Sequence, residues 1–318
     1  MEAPKLITGH HHVTSCVGGA QEDHDFHTKV LGLHSVKKTL LYDGRLPIYH
    51  LYYGNEKGQE STLLTTFPVA HTGLKAHHGT GQFSSHDLSI PESAVDYWQK
   101  RLNDHGIDTV RSERFGEMRL TFSHPGGIRY ALVTVADDDR GPCTNHDVPP
   151  EMGIRGSHGI TLPLRELEQQ EFFMAMAWGA RKVGTDGAFH RWEMGQGGTG
   201  TYVDLEVLPD VKAGTWNFGQ GMVHHCAFGV GSLEEQATVK AHIEGLGFTD
   251  VSDSKDRGYF HSIYVRSPAG ALFEATVSKP EGFLIDEPAD QLGRSVMLSP
   301  QFEDQRAEIM AQLETIED

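Results

Sequence analysis

Two runs of histidine, His10-His11-His12 and His224-His225, each open a short apolar stretch of this chain. A carboxylate, Glu274, sits inside a third apolar stretch, Ala271-Leu272-Phe273-Glu274-Ala275. Two imidazoles and one carboxylate facing inward from strands could make the three-ligand face of a mononuclear metal site. Such a face, with open positions beside it, is the arrangement of non-haem Fe(II) oxygenases. Three protein ligands also mark a catalytic site rather than a structural one, because structural zinc is closed by four. The three cysteines, Cys16, Cys143 and Cys226, show no ligand spacing and read as reduced, buried thiols.

A repeat supplies the elements that must position these residues. Four segments begin with His and a strand-like run: His12-Val-Thr-Ser-Cys-Val, His86-Asp-Leu-Ser-Ile-Pro, His158-Gly-Ile-Thr-Leu-Pro and His225-Cys-Ala-Phe-Gly-Val. A stretch of helical periodicity follows each and ends near a glycine: Gly32, Gly106, Gly179 or Gly247. Strand-like runs joined by turns such as Pro125-Gly126-Gly127 and Pro268-Ala269-Gly270 close the unit. The expected fold is therefore α+β, four βαβββ modules forming two half-barrel-like domains. The modules are placed at 8–70, 82–135, 155–210 and 222–280, with 281–318 as a C-terminal extension.

Within a module, the ligand positions are the start of the first strand and the middle of the last. Module 4 offers His225 and Glu274. Module 1 offers His12, but its last strand, Leu63-Leu64-Thr65-Thr66, carries no ligand. Modules 1 and 4 together would carry His12, His225 and Glu274, leaving modules 2 and 3 structural. His86, His158 and Glu206 form a competing set in modules 2 and 3, with nearly the same spacing, and spacing alone does not reject it.

Composition narrows the partners. The chain of 318 residues has a net charge of −17 and no Lys/Arg-rich run, so it would repel nucleic acid and anionic lipid. It shows neither a signal pattern nor an apolar run long enough to span a bilayer. The expected setting is cytoplasmic, with small-molecule partners and a homo-oligomer as one assembly option. His10 has no assigned role and is expected on an exposed N-terminal arm.

Several stretches resemble a known family. They include His11-His12-Val13-Thr14, Pro47-Ile48-Tyr49-His50-Leu51-Tyr52, Gly221-Met222-Val223-His224-His225, Arg257-Gly258-Tyr259-Phe260, Tyr264-Val265-Arg266 and Phe273-Glu274-Ala275-Thr276. They resemble the vicinal oxygen chelate superfamily and, within it, the ring-cleaving hydroquinone 1,2-dioxygenases, from about residue 8 to about residue 303. His10, His261 and Ser157-His158-Gly159-Ile160-Thr161 depart from that pattern, which bears on ring substituents.

The resemblance implies Fe(II) held by His12, His225 and Glu274, with hydroquinone and O2 as partners. It implies supporting roles for His11, Thr14, His224, Arg257 and Tyr264. His224 is the first candidate for acid–base work. Tyr264 could hydrogen-bond the bound ring oxygen, and Arg257 could hold developing negative charge. Neighbours on a strand point to opposite faces, so roles for His11 and His224 beside their ligand neighbours require bulges. Two other readings fit the same fold: a glyoxalase-type isomerase or lyase using Zn or Ni, often with two symmetric sites, and a metal-free small-molecule binder.

Overall fold

A computed structural model describes residues 3–145, 147–215 and 217–317. Each repeat folds as strand, helix and three further strands. The first runs β1 (Ile7–Val17), α1 (Ala20–Asp25), β2 (His34–Leu41), β3 (Ile48–Gly54) and β4 (Leu63–Pro68). The second runs β5 (Ser85–Ile90), α2 (Val95–Asp104), β6 (Val110–Arg114), β7 (Glu117–Ser123) and β8 (Arg129–Thr134). The third runs β9 (Gly156–Leu164), α3 (Glu168–Phe172), β10 (Arg181–Asp186), β11 (Phe189–Glu193) and β12 (Tyr202–Val207). The fourth runs β13 (Met222–Val230), α4 (Leu233–Gly245), β14 (Lys255–Asp256), β15 (Phe260–Arg266) and β16 (Leu272–Ser278). Helices α1 and α3 continue into π-helical turns at Phe26–Val30 and Phe173–Ala177.

Gly32, Gly106, Gly179 and Gly247, just beyond the four helices, all have positive φ. An αL residue there turns the chain out of the helix. At Gly32 a Cβ would also come within 2.4 Å of Val148 Cγ2.

The strands make two curled sheets, which give the α+β vicinal oxygen chelate architecture. One has the order β14-β15-β16-β13-β1-β4-β3-β2, with a short ninth strand, β17 (Val296–Met297), beside β2. The other has the order β10-β11-β12-β9-β5-β8-β7-β6. The first strands of two repeats meet antiparallel at the centre of each sheet, β1 with β13 and β5 with β9. Each first strand pairs in parallel with the last strand of its own repeat. A residue on a first strand therefore has both a sister first strand and a last strand as neighbours.

The core lies where the two sheets meet. Phe26 stacks on Tyr130, while Trp178 packs edge-on against Phe228 and Phe273. Each such buried ring contributes roughly 1.5–3 kcal/mol of transfer free energy. His10 belongs to this interior. It is 3% exposed, its Nδ1 lies 2.6 Å from Ser157 Oγ, and its Nε2 lies 3.0 Å from the Tyr202 carbonyl. The exposed arm expected for His10 is thus corrected: β1 already begins at Ile7 and carries His10 into the contact between the sheets.

Residues beyond β16 fold back over the first repeat. Lys37, fully buried on β2, donates to the Phe283 carbonyl at 3.0 Å, to Asp286 at 2.7 Å and to the Glu287 carboxylate. Its ammonium also lies over the Tyr259 ring. This clamp fixes Tyr259 and Phe260 beside the histidine cluster described below. The chain ends after α5 (Arg306–Met310) with Glu314 accepting the Ala20 N–H. Among the described residues, no helix is long and apolar enough to cross a membrane.

Candidate metal centre

Two β-bulges build the site. On β1, His10 faces Phe228 and His12 faces Ala227, so His11 is an extra residue. On β13, Thr14 faces His225 and Ser15 faces Val223, so His224 is an extra residue. A bulge breaks the strict alternation of side chains, which lets each histidine pair work together. His11 Nδ1 lies 2.9 Å from His12 Nδ1, and His224 Nδ1 lies 2.6 Å from His225 Nδ1.

Those contacts turn Nε2 of both His12 and His225 inward, 3.3 Å apart. Glu274 on β16 completes the group, because Ala227 is its register partner on β13 and His12 is the partner of Ala227 on β1. Glu274 Oε2 lies 2.9 Å from His225 Nε2 and 3.8 Å from His12 Nε2. All three residues are buried. Glu274 Oε1 accepts from Thr276 Oγ1 at 2.7 Å, whereas Oε2 has close neighbours but no donor at hydrogen-bonding angles.

This donor set fits a metal ion. Burial pushes the His12 imidazole well below its usual pKa, against the pull of Glu274, so the ring is neutral with a free lone pair. Burial would raise the Glu274 carboxyl, but His225 and His12 outweigh it and hold the group below the carboxylate range. A fully buried carboxylate oxygen with no hydrogen bond, flanked by two inward imidazole nitrogens, is a place that a cation could fill. Bonds of about 2.0–2.2 Å place donors about 3–3.5 Å apart, close to the separations seen.

The remaining expected residues lie around this group. Thr14 Oγ1 is 2.8 Å from His225 Nε2 and 2.6 Å from Thr65 Oγ1. Tyr264 stands opposite Glu274 in register, its ring 5.9 Å from that of His225. Exposed Arg257 donates from Nε to Tyr264 Oη at 3.0 Å. His224 is stacked by Phe218 at 3.9 Å and touched edge-on by Phe67. A cavity of about 140 Å³ opens beside His224, lined also by Gln82, Met222 and Arg266. His261 lies half-buried on β15, paired with Val277 of β16.

Sequence reasoning missed Thr65, His50 and Tyr52. His50 Nε2 lies 3.3 Å from Thr65 Oγ1, and Tyr52 Oη lies 2.8 Å from His50 Nδ1. They extend the Thr14 contact into a polar chain across β4 and β3. Burial, with His225 nearby, lowers the His50 imidazole to about 3, so it is neutral. The sequence signals were two resembling stretches, Pro47-Ile48-Tyr49-His50-Leu51-Tyr52 and Thr65-Thr66-Phe67-Pro68, neither of which assigned these residues a role.

The competing set does not assemble. In the second sheet Asp87 faces Gly159 and Leu88 faces Ser157, so His158 is the bulged residue and corresponds to His224. By the same register Ser85 stands where His12 does, Gly159 where His225 does and Asp204 where Glu274 does. His86 points away, with its Nε2 on Ser157 Oγ, and Glu206 lies two residues past the carboxylate position. Arg191 occupies the place of Tyr264 and grips Asp204 at 2.8 Å and 3.1 Å, while Arg114 reaches it at 3.2 Å. Two ligand positions have lost their imidazoles, and guanidinium groups neutralise the third.

Asp23, His27 and His124 form another buried trio. Asp23 Oδ1 lies 3.2 Å from His27 Nδ1 and 3.2 Å from His124 Nε2. Here the Gly126 N–H donates to His124 Nδ1 at 2.7 Å, so the ring proton sits on Nε2 and faces the carboxylate. Tyr53 and Thr66 donate to Asp23 Oδ2 at 2.8 Å and 2.6 Å. Asp23 Oδ1 makes no hydrogen bond of good geometry, but the two imidazoles turn N–H groups rather than lone pairs toward it, so the trio does not offer three open ligand atoms.

The chain is similar to known proteins over nearly its whole length. It is 42% identical over 313 residues to the chlorohydroquinone/hydroquinone 1,2-dioxygenase of Sphingobium indicum, covering 98% of this chain and 97% of that protein. It is 34% identical over 305 residues to a Bacillus subtilis protein provisionally named ring-cleaving dioxygenase MhqO, covering 96% and 95%. The solved structure of a provisionally assigned Bacillus subtilis dioxygenase superposes with a TM-score of 0.91 at 34% identity, covering 99% of both chains. Glyoxalase I of Zea mays superposes with a TM-score of 0.62 at 14% identity, covering 85% and 92%, which shows a shared fold. No family model matches. On sequence identity above 30% across almost the entire length, the chain belongs to the vicinal oxygen chelate superfamily and, within it, to the hydroquinone 1,2-dioxygenase family.

Proposed function

We propose that this chain is an Fe(II)-dependent dioxygenase that opens hydroquinone, or a chloro- or methyl-substituted hydroquinone, beside one hydroxyl. The observation that carries this reading is the convergence of His12 Nε2, His225 Nε2 and Glu274 Oε2 with no donor satisfying the carboxylate oxygen. These three atoms would hold the iron, which when bound supplies a redox centre that can bring an electron-rich ring and triplet O2 together. Cleavage of the ring carbon–carbon bond takes both oxygen atoms of O2 into the product. It yields a carboxylic acid and an aldehyde, or a second acid function where chloride leaves.

The surrounding residues act by orientation and hydrogen bonding. With His225 bound through Nε2, its Nδ1–H donates to His224 Nδ1, which leaves the His224 proton on Nε2. Burial keeps His224 neutral, with like-charge repulsion from His225 acting the same way. Its Nε2–H is thus a donor toward the cavity at this end of the site. Tyr264 Oη accepts from Arg257, so its own hydrogen is free to donate toward the ring oxygen. Burial and the nearby Glu274 push the Tyr264 phenol up, keeping that hydrogen in place. Thr14, held by Thr65, flanks the same edge of His225.

The paired-site form of a glyoxalase-type isomerase would need ligands in both sheets, and Ser85, Gly159 and the Arg-bound Asp204 do not supply them. A metal-free binder would gain nothing from an orphaned buried carboxylate oxygen. Metal analysis with oxygen uptake across a hydroquinone and catechol panel tests the proposal. About one iron per chain and uptake with hydroquinones support it. No uptake by iron-loaded protein with any hydroquinone would sink it, and strong uptake with catechol would move the substrate to ortho-diols.

A further inference from the structure

The contact behind His12 continues as a hydrogen-bond chain with one direction and a definite end. A His12 ring that binds metal through Nε2 carries its proton on Nδ1 and donates it to His11 Nδ1 at 2.9 Å. The His11 proton then sits on Nε2 and donates to Ser278 Oγ at 2.8 Å. The Ser278 hydroxyl in turn donates to Glu60 Oε1 at 2.5 Å. Ser278 ends β16, the strand that carries Glu274, so one strand supplies both a candidate ligand and this relay point.

The β3–β4 loop is shaped to hold Glu60 there. Asn55 Oδ1 accepts the N–H groups of Lys57 and Gln59 at 3.2 Å and 3.1 Å. Ser61 adopts a left-handed φ of 66° and donates its N–H to the carbonyl of the bulged His11 at 2.9 Å. A left-handed non-glycine residue costs on the order of 1–3 kcal/mol and persists only where its surroundings enforce it. Glu60 lines a cavity of about 480 Å³ together with His11, Phe260 and Ser278. The other bulged histidine has no such tie: among the described residues, the one hydrogen bond of His224 is to His225.

We propose that Ser278 and Glu60 are positioning residues for metal binding. They fix the tautomer of His11 and, through it, hold His12 with its Nε2 lone pair toward the metal. Carboxylates and hydroxyls behind a ligating histidine orient the ring and raise its basicity, and their loss costs about 10–100-fold in metal affinity. The inference rests on the reading of His12 as a ligand.

Chelator competition with Co(II) on the full-length protein measures the effect. Ser278→Ala should weaken Co(II) binding about tenfold and Glu60→Gln by less, toward the lower end of the effect of such residues. Ser278→Thr should restore native affinity, and the metal-free variants should melt with the native protein. Imidazole 15N shifts of the Zn(II)-loaded protein should place the His11 proton on Nε2. Native affinity in Ser278→Ala, or a His11 proton on Nδ1, would overturn the proposal. His12→Ala separates the two claims. If it keeps native Co(II) affinity, the ligand reading itself fails. If it loses the metal while Ser278→Ala retains it, only the positioning role fails.

Discussion

Asp23→Asn should destabilise the fold by about 3–5 kcal/mol, the usual consequence of breaking a buried, hydrogen-bonded charge. Tyr53 and Thr66 donate to its Oδ2, while His27 Nδ1, which donates to the Asp23 carbonyl, and His124 Nε2 each lie 3.2 Å from Oδ1. An amide can keep one oxygen, so at least two of these donors would meet an NH2 group instead. Hydrogen bonds to a charged group are each worth about 1.5–3 kcal/mol, which gives the same range. Relief of the burial penalty on the charge offsets part of it. Equilibrium unfolding in urea at neutral pH measures the change. Tyr53→Phe and Thr66→Val should each cost about 1.5–3 kcal/mol in the native background and much less beside Asp23→Asn, the signature of a shared partner. Burial raises the Asp23 carboxyl, but His27 and His124 outweigh it and hold the group below its ordinary range. A depressed carboxyl stabilises the fold fully above its unfolded pKa, about 3.9, and loses that stabilisation progressively as pH falls from there to the folded one. Wild type should therefore keep this contribution down to about pH 4 and lose it steadily below. A cost under 1 kcal/mol for Asp23→Asn, or full additivity with Tyr53→Phe, would refute the donor count.

Acid should act first through neutral buried histidines. Burial lowers His86 to about 4 against the Asp87 pull, so its stabilisation is present above pH 6.5 and is lost between about 6.5 and 4. That is up to about 3 kcal/mol, and His86→Gln should flatten the stability–pH slope in that window. Lys37→Met should cost about 3–5 kcal/mol by stranding Asp286 and Glu287, and limited proteolysis should then cut within 281–318. Thr14→Val should leave iron content near native and lower turnover, since the hydroxyl flanks His225 without being a ligand. Loss of iron in that variant would contradict this placement.

Much of the architecture was legible because periodicity survives duplication. The His-led strands and the helices ending at Gly32, Gly106, Gly179 and Gly247 repeat in order, and modules 2 and 4 also share the turns at Pro125-Gly126-Gly127 and Pro268-Ala269-Gly270. A bulge adds one residue without changing composition, so matching His86 to His12 and His158 to His225 slipped by one. Only the observed pairing shows that Ser85 and Gly159 hold the ligand positions in the second sheet. His10 was misplaced because a terminal position says nothing of a strand that crosses between sheets. Thr65, His50, Glu60 and Ser278 are ordinary strand and loop residues by type. Their roles come from register and loop conformation, which no spacing rule encodes.

Oxygen consumption by anaerobically Fe(II)-loaded protein, followed with 18O2 and hydroquinone, bears most directly on the proposed reaction. One O2 should disappear per hydroquinone, both labelled atoms should enter the ring-opened product before any exchange of the aldehyde, and Glu274→Gln should abolish uptake along with iron binding. Iron bound at one per chain with no uptake from hydroquinone or its chloro and methyl forms would contradict it.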